Sequence, residues 1–222
     1  MQRHATGIFV SGTDTGVGKT VVSCALLRQW VAQGERAVGM KPVAAGIAHG
    51  SAANDDVAAL AAAGNVEAPL AARNPFAFVP AIAPHLAAAE VGVAIDLQRI
   101  RAAYDELATG ADRIVVEGAG GVSVPLDARH DMLDVARVLS LPVLLVVAIR
   151  LGCLNHALLS AHAIQARGLV LAGWVANLVE PQLPRLEGNL ATLNARLPAA
   201  RVATIAWGRT DAPQWGPGAT AL

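Results

Sequence analysis

Excess charge of either sign is missing from this chain: Lys and Arg total 17, Asp and Glu total 17, and the formal net charge is zero. A protein that holds DNA or an anionic membrane by electrostatics carries a basic surplus, so neither partner is expected. Long hydrophobic runs are lacking too. The longest, VLSLPVLLVVAI at 138–149, contains Ser140 and Pro142, is too short to span a bilayer, and reads as a helix end followed by a buried strand. Cysteine is scarce: Cys24 and Cys153 show no metal-ligand spacing. His4, His49, His85, His130, His156 and His162 are equally scattered, which suits surface or capping positions. No charged-then-apolar leader precedes residue 7, so no signal peptide is expected, and a reducing cytoplasm is the expected compartment. There is no internal repeat, low-complexity tail or interdomain linker.

What is present is an apolar, alanine-rich chain of 222 residues, 54% hydrophobic and 15% charged, which excludes disorder and suits a single domain over 1–222. Apolar runs rich in β-branched residues recur at 7–11, 36–43, 113–118, 142–149, 170–179 and 201–207. Helical patterns fall between most of them, at 20–33, 96–110 with Asp96 as N-cap, 131–140, 155–167 and 184–197. Such alternation predicts an α/β fold with a doubly wound, mostly parallel sheet flanked by helices, and ligands collect at the carboxyl ends of such strands. Residues 44–95 break the rhythm. They form a long excursion beside the binding edge, with a short helix near 56–64, and read as a substrate wall or lid. The stretch 208–222 reads as an irregular surface end.

The first apolar run ends in GTDTGVGKT, residues 12–20. Glycines let backbone N–H groups approach a ligand closely, and a helix starting near Thr20 aims its positive end the same way. Strand, glycine turn and helix make a phosphate cradle, a P-loop, with Lys19 as the phosphate cation and Thr20 as a Mg²⁺ ligand. One departure is visible: the usual first glycine falls at Thr13, and the nearest is Gly12.

The second run ends at Lys41, either a cation for phosphoryl transfer or a solvated loop lysine. Glu117 ends the third run, where P-loop proteins place an acid that reaches Mg²⁺; it also reads as an exposed strand-end glutamate. Gly118, Gly120 and Gly121 follow, suited to backbone lying against a ligand. Asp55 and Asp56 either cap a helix or supply a carboxylate to the metal. In RLGCLNHALLS, 150–160, the amides of Gly152, Cys153, Leu154 and Asn155 form a second anion site, or Asn155 is an ordinary N-cap. Trp207 stacks on an adenine or plugs the core.

Together GTDTGVGKT, KPVAAG, APHLAA, VEGAGG, LGCLNHA and GWVAN resemble the dethiobiotin synthetase family in order and spacing from 7 to 207. The resemblance implies a single P-loop NTPase-like domain working as a homodimer. It also implies an ATP-dependent cyclo-ligase in biotin synthesis. CO₂ forms a carbamate on one amine of 7,8-diaminononanoate, the carbamate attacks the γ-phosphate of ATP, and the second amine closes the ring and expels phosphate. Lys19 and the amides of Gly16, Val17, Gly18, Thr20 and Val21 would hold the triphosphate, with Gly118, Ala119 and Gly120 nearby. Thr20, Asp56 and Glu117 would hold Mg²⁺. Lys41 would neutralise the carbamate and the transferring phosphoryl group. Asn177, Leu178, Ala206, Trp207 and Gly208 would border the nucleoside, with Asn177 on the adenine edge. Thr15 and Ala45 would lie near the diamine, and the 152–155 amides, lent by the partner subunit, would bind its carboxylate. Ala45 replaces a frequent serine, and Ala206 a frequent proline. Two other classes remain in view. A partitioning-type ATPase needs a second loop lysine, where this chain has Asp14 or Thr15. A small-molecule kinase needs an arginine-rich lid, and 44–95 contains only Arg73.

Overall fold

Parallel strands buried on both faces need continuous apolar sequence, and VLLVVAI is buried at every position. In a computed structural model, residues 5–48, 50–51, 53–209 and 213–216 are described. His4, His49 and most of the tail, 210–212 and 217–222, lie outside the described residues. The order is β1 (Thr6–Gly12), α1 (Lys19–Ala32), β2 (Ala37–Met40), β3 (Val43–Ala45), α2 (Asp55–Ala63), α3 (Leu70–Arg73), β4 (Phe76–Phe78), α4 (Pro84–Glu90), α5 (Leu97–Gly110), β5 (Arg113–Gly121), α6 (Met132–Leu139), β6 (Val143–Ile149), α7 (Cys153–Ala166), β7 (Leu171–Leu178), α8 (Leu186–Arg196), β8 (Arg201–Ile205) and β9 (Gln214–Trp215).

Among the described residues seven strands form the main sheet in the order β2-β5-β1-β6-β7-β8-β9, parallel throughout except for the antiparallel β8–β9 pair. Side chains alternate between its faces. Ile8 and Val10 join Leu26, Leu27 and Trp30 under α1 and α2, while Phe9 joins Ile100, Leu133, Ile164 and Leu193 under α5 to α8. Helices on both faces make the sheet doubly wound, as the alternation predicts.

The second apolar run does not stay in one strand. β2 stops at Met40, because Pro42 has no N–H for the ladder, and β3 departs to pair with β4 in a separate two-stranded parallel sheet. β2 is therefore an edge strand, and the excursion covers its outer side. Asn65 accepts from Ala37 N–H at 2.8 Å and donates its own N–H to the Ala37 carbonyl at 3.0 Å. Arg73 reaches the Gly39 carbonyl at 3.4 Å, and its own carbonyl accepts from Lys41 N–H at 2.8 Å.

Helix starts agree with the sequence in one case and correct it in two. Asp96 caps α5, accepting from Gln98 N–H at 2.8 Å. The cap of α2 is Asn54, not Asp55 or Asp56; it accepts from Asp56 N–H at 3.0 Å. The cap of α7 is Gly152 at φ 91°, with no side-chain bond, so Asn155 is not an N-cap.

Candidate active site

Three of the predicted strand ends meet at one edge of the sheet. β1 runs into the loop 12–18, β2 delivers Lys41 and β5 delivers Glu117, while α2 brings Asp56 across. In the loop, Gly12 answers the spacing departure. A Cβ there would stand 2.5 Å from Val17 Cγ2 and 3.2 Å from Lys19 Cγ, so only glycine lets a loop one residue longer close on itself. Gly18, at φ 93°, starts α1 with no side-chain cap, and the first turn holds no acid. The positive end of α1 is thus left for an anion. Lys19 is buried and donates to the Asp14 carbonyl at 3.1 Å; burial holds its pKa below the ordinary lysine value. Asp14 accepts from Thr15 N–H at 2.7 Å and from Arg150 at 2.9 Å.

Beside the loop lies a cluster of four side chains. Thr20 Oγ1 stands 2.9 Å from Asp56 Oδ1 and 2.9 Å from Glu117 Oε1, and its single proton serves one of them at a time. Lys41 Nζ donates to Glu117 Oε1 at 2.8 Å and to Asp56 Oδ2. Glu117 is 0% exposed and Lys41 6%, so neither is the solvated residue that its position also allowed. Burial alone would lower the Lys41 pKa, but the Glu117 and Asp56 carboxylates outweigh it and hold it above the ordinary value. Burial likewise pushes Asp56 up, and Lys41 with Thr20 more than reverses that, leaving its carboxyl below the ordinary range.

Glu117 Oε2 is buried and has no hydrogen-bond partner among the described residues. An anionic oxygen in that state suits a cation, and two carboxylates plus a hydroxyl are the hard donors that magnesium takes, with phosphate oxygens and water completing the octahedron. The residues present fit that ion. Among the described residues no group of three or more His, Cys, Asp and Glu offers a protein-only cage.

A cavity of about 730 Å³ opens over this cluster. Its walls include twelve of the predicted site residues: Thr15, Gly16, Gly18, Lys19, Thr20, Val21, Lys41, Ala45, Asp56, Glu117, Ala119 and Gly120. The others lie outside its lining. Val17 is buried beneath the loop, and its carbonyl accepts from Asn177 Nδ2 at 2.8 Å, so Asn177 braces the P-loop from the end of β7. Gly118 does not lie against the cavity. A Cβ there would meet Phe9 and Met132, so its bareness serves packing. Ala206, Trp207 and Gly208 are exposed, which removes the reading of Trp207 as a core plug, and Leu178 is half-buried. Gly152, Cys153, Leu154 and Asn155 stand at the start of α7 and do not line this cavity. Sequence reasoning named no residue for the remaining wall, which is Ala81, Ile82, Ala83, Pro84 and Val124. For 81–84 the signals were the proline-spaced excursion and the motif APHLAA; Val124 carried none.

The AAA domain family model matches residues 6–210. The ATP-dependent dethiobiotin synthetase BioD of Nitrosospira multiformis is 52% identical over 86% of this chain and 84% of its own. That of Aromatoleum aromaticum is 50% identical over 89% of this chain and 88% of its own. Among solved structures, chloroplast FtsY from Physcomitrella patens superposes with TM-score 0.56 at 17% identity, covering 96% of this chain and 63% of that one. The MinC:MinD complex of Aquifex aeolicus gives 0.58 at 13% identity, covering 91% and 81%. Those two likenesses speak to the fold alone. Half identity across most of both chains says more, and places this chain in the ATP-dependent dethiobiotin synthetase family.

Proposed function

We propose that the protein is an ATP-dependent cyclo-ligase that converts 7,8-diaminononanoate and CO₂ into dethiobiotin with release of ADP and phosphate. The observation that carries this reading is the position of Lys41. Its ammonium is buried between two carboxylates on the floor of the same cavity that the P-loop opens into. A carbamate oxygen is a poor leaving group, and phosphorylation makes it a good one. The chain therefore has to hold a triphosphate and a carbamate side by side and limit water.

Lys19, the loop amides and the amino end of α1 bind the triphosphate. Lys41 faces the carbamate and the transferring phosphoryl group, where negative charge grows as the bond forms. Magnesium, held by Thr20, Asp56 and Glu117, would supply charge neutralisation at the phosphates. Thr15 and Ala45 border the diamine, and the apolar wall 81–84 shields the intermediate from water. Asn177 and the 206–208 segment border the nucleoside. The amides of 152–155 serve the partner's cavity in a homodimer, and the enzyme works in the cytoplasm; no helix among the described residues is long and apolar enough to cross a membrane.

With diamine, bicarbonate, ATP and magnesium, phosphate should appear in step with a cyclic urea. ATP hydrolysis indifferent to the diamine rejects the reading. A partitioning-type ATPase is not favoured, since Asp14 or Thr15 stands where such proteins place a second lysine, and Asp14 is paired with Arg150.

A further inference from the structure

Lys41 follows the last residue of an edge strand and precedes a proline, so the sheet ladder does not fix its backbone. The hydrogen bonds come instead from the middle of the excursion, residues 73–76. Lys41 N–H donates to the Arg73 carbonyl at 2.8 Å, and Asn74 Nδ2 donates to the Lys41 carbonyl at 2.7 Å and to the Phe76 carbonyl at 3.0 Å. Phe76 N–H closes the clasp on the Pro42 carbonyl at 3.1 Å. Asn74 is 6% exposed, does not line the cavity, and uses both amide protons on these carbonyls. We propose that Asn74 is a positioning residue for the reaction, fixing the point from which the Lys41 side chain reaches the reacting groups.

The reason is mechanical. A lysine arm is flexible, and its ammonium is now anchored by Glu117 and Asp56. If those carboxylates turn to other partners during turnover, that anchor changes, while the clasp at the backbone persists. The neighbouring Arg73 holds the same segment down. Its buried guanidinium donates to the carbonyls of Gly39, Val66 and Ala68. A misplacement of about 1 Å at such a group is enough to cost up to about 100-fold in rate.

This inference rests on the role given to Lys41 above, and its test separates the two. Asn74→Asp keeps the shape and turns a donor into an acceptor facing two carbonyls; Asn74→Ser is the milder variant. In the folded variants kcat should fall about tenfold or more, with KM for ATP within about twofold, because the P-loop is untouched. In a Lys41→Ala background the same substitution should add less than about a twofold loss, since Asn74 acts through Lys41. Additive losses, a parallel loss of ATP affinity, or full activity in a folded variant overturn the proposal. So does failure of both variants to fold, which assigns Asn74 to general stability. A wild type indifferent to the diamine rejects the reaction and this proposal together, whereas a competent wild type with additive losses rejects the proposal alone.

Discussion

Lys41 carries the positive charge between Asp56 and Glu117, so Lys41→Ala leaves two carboxylates facing each other across Thr20. Turnover should fall far more than nucleotide affinity, because the lost charge matters most as the phosphoryl group moves; equal losses in kcat and in ATP binding would contradict that role. A titration effect belongs at Asp127, which does not line the P-loop cavity. The His130 ring, then the N–H groups of Arg129 and His130, hold its carboxyl at about 2 against an ordinary 3.8. A depressed folded pKa stabilises above the ordinary value and loses that contribution as pH falls through the folded one. The side chain is 44% exposed, so the effect is small. The urea midpoint of Asp127→Asn should trail the wild type near neutrality and converge with it as pH drops toward about 2. Lys19, Thr20, Lys41 and Glu117 were legible because each sits in a local motif at the end of an apolar run. Asn74 was not, because its partner lies 33 positions back along the chain.

At the scale of elements, α2 shows how a cap can place a carboxylate. The sequence NDD at 54–56 offers three residues able to start a helix, and reading along the chain does not tell which is used. The structure uses the first, and Asp56 is thereby free to face Thr20 and Lys41. Asn54 also donates to the carbonyls of Ala45 and Gly46 at 3.2 Å each, tying the helix start to the end of β3. Asn54→Ala should cost about 0.5–2 kcal/mol in stability, read from denaturant unfolding, and raise the magnesium concentration for half-maximal turnover. An unchanged magnesium requirement would separate the cap from the proposed metal site. The wall 81–84 was legible only as a region. An irregular segment has no period to read, and its inward-facing residues depend on where the chain returns.

For the whole molecule, hydrophobic periodicity located the central parallel strands to within a few residues, since burial on both faces leaves an unbroken apolar signature. The split of the second run into β2 and β3 depended on Pro42 and on a distant partner, β4. Leu151 is 92% exposed and Leu159 59%, both on or beside α7 near the 152–155 amides. If that end serves a second subunit, the chain should sediment as a dimer. Leu151→Glu should then yield monomers that bind ATP and have lost diamine-dependent turnover; full activity in monomers would refute shared sites. The covering of β2 by Asn65 and Arg73 has a cost for storage and handling. Whatever loosens the chain packed along β2 also bares an adhesive ribbon of unpaired amides and carbonyls. Aggregation on warming should therefore begin at this margin, and substitutions that tighten the covering chain should delay clumping as well as melting.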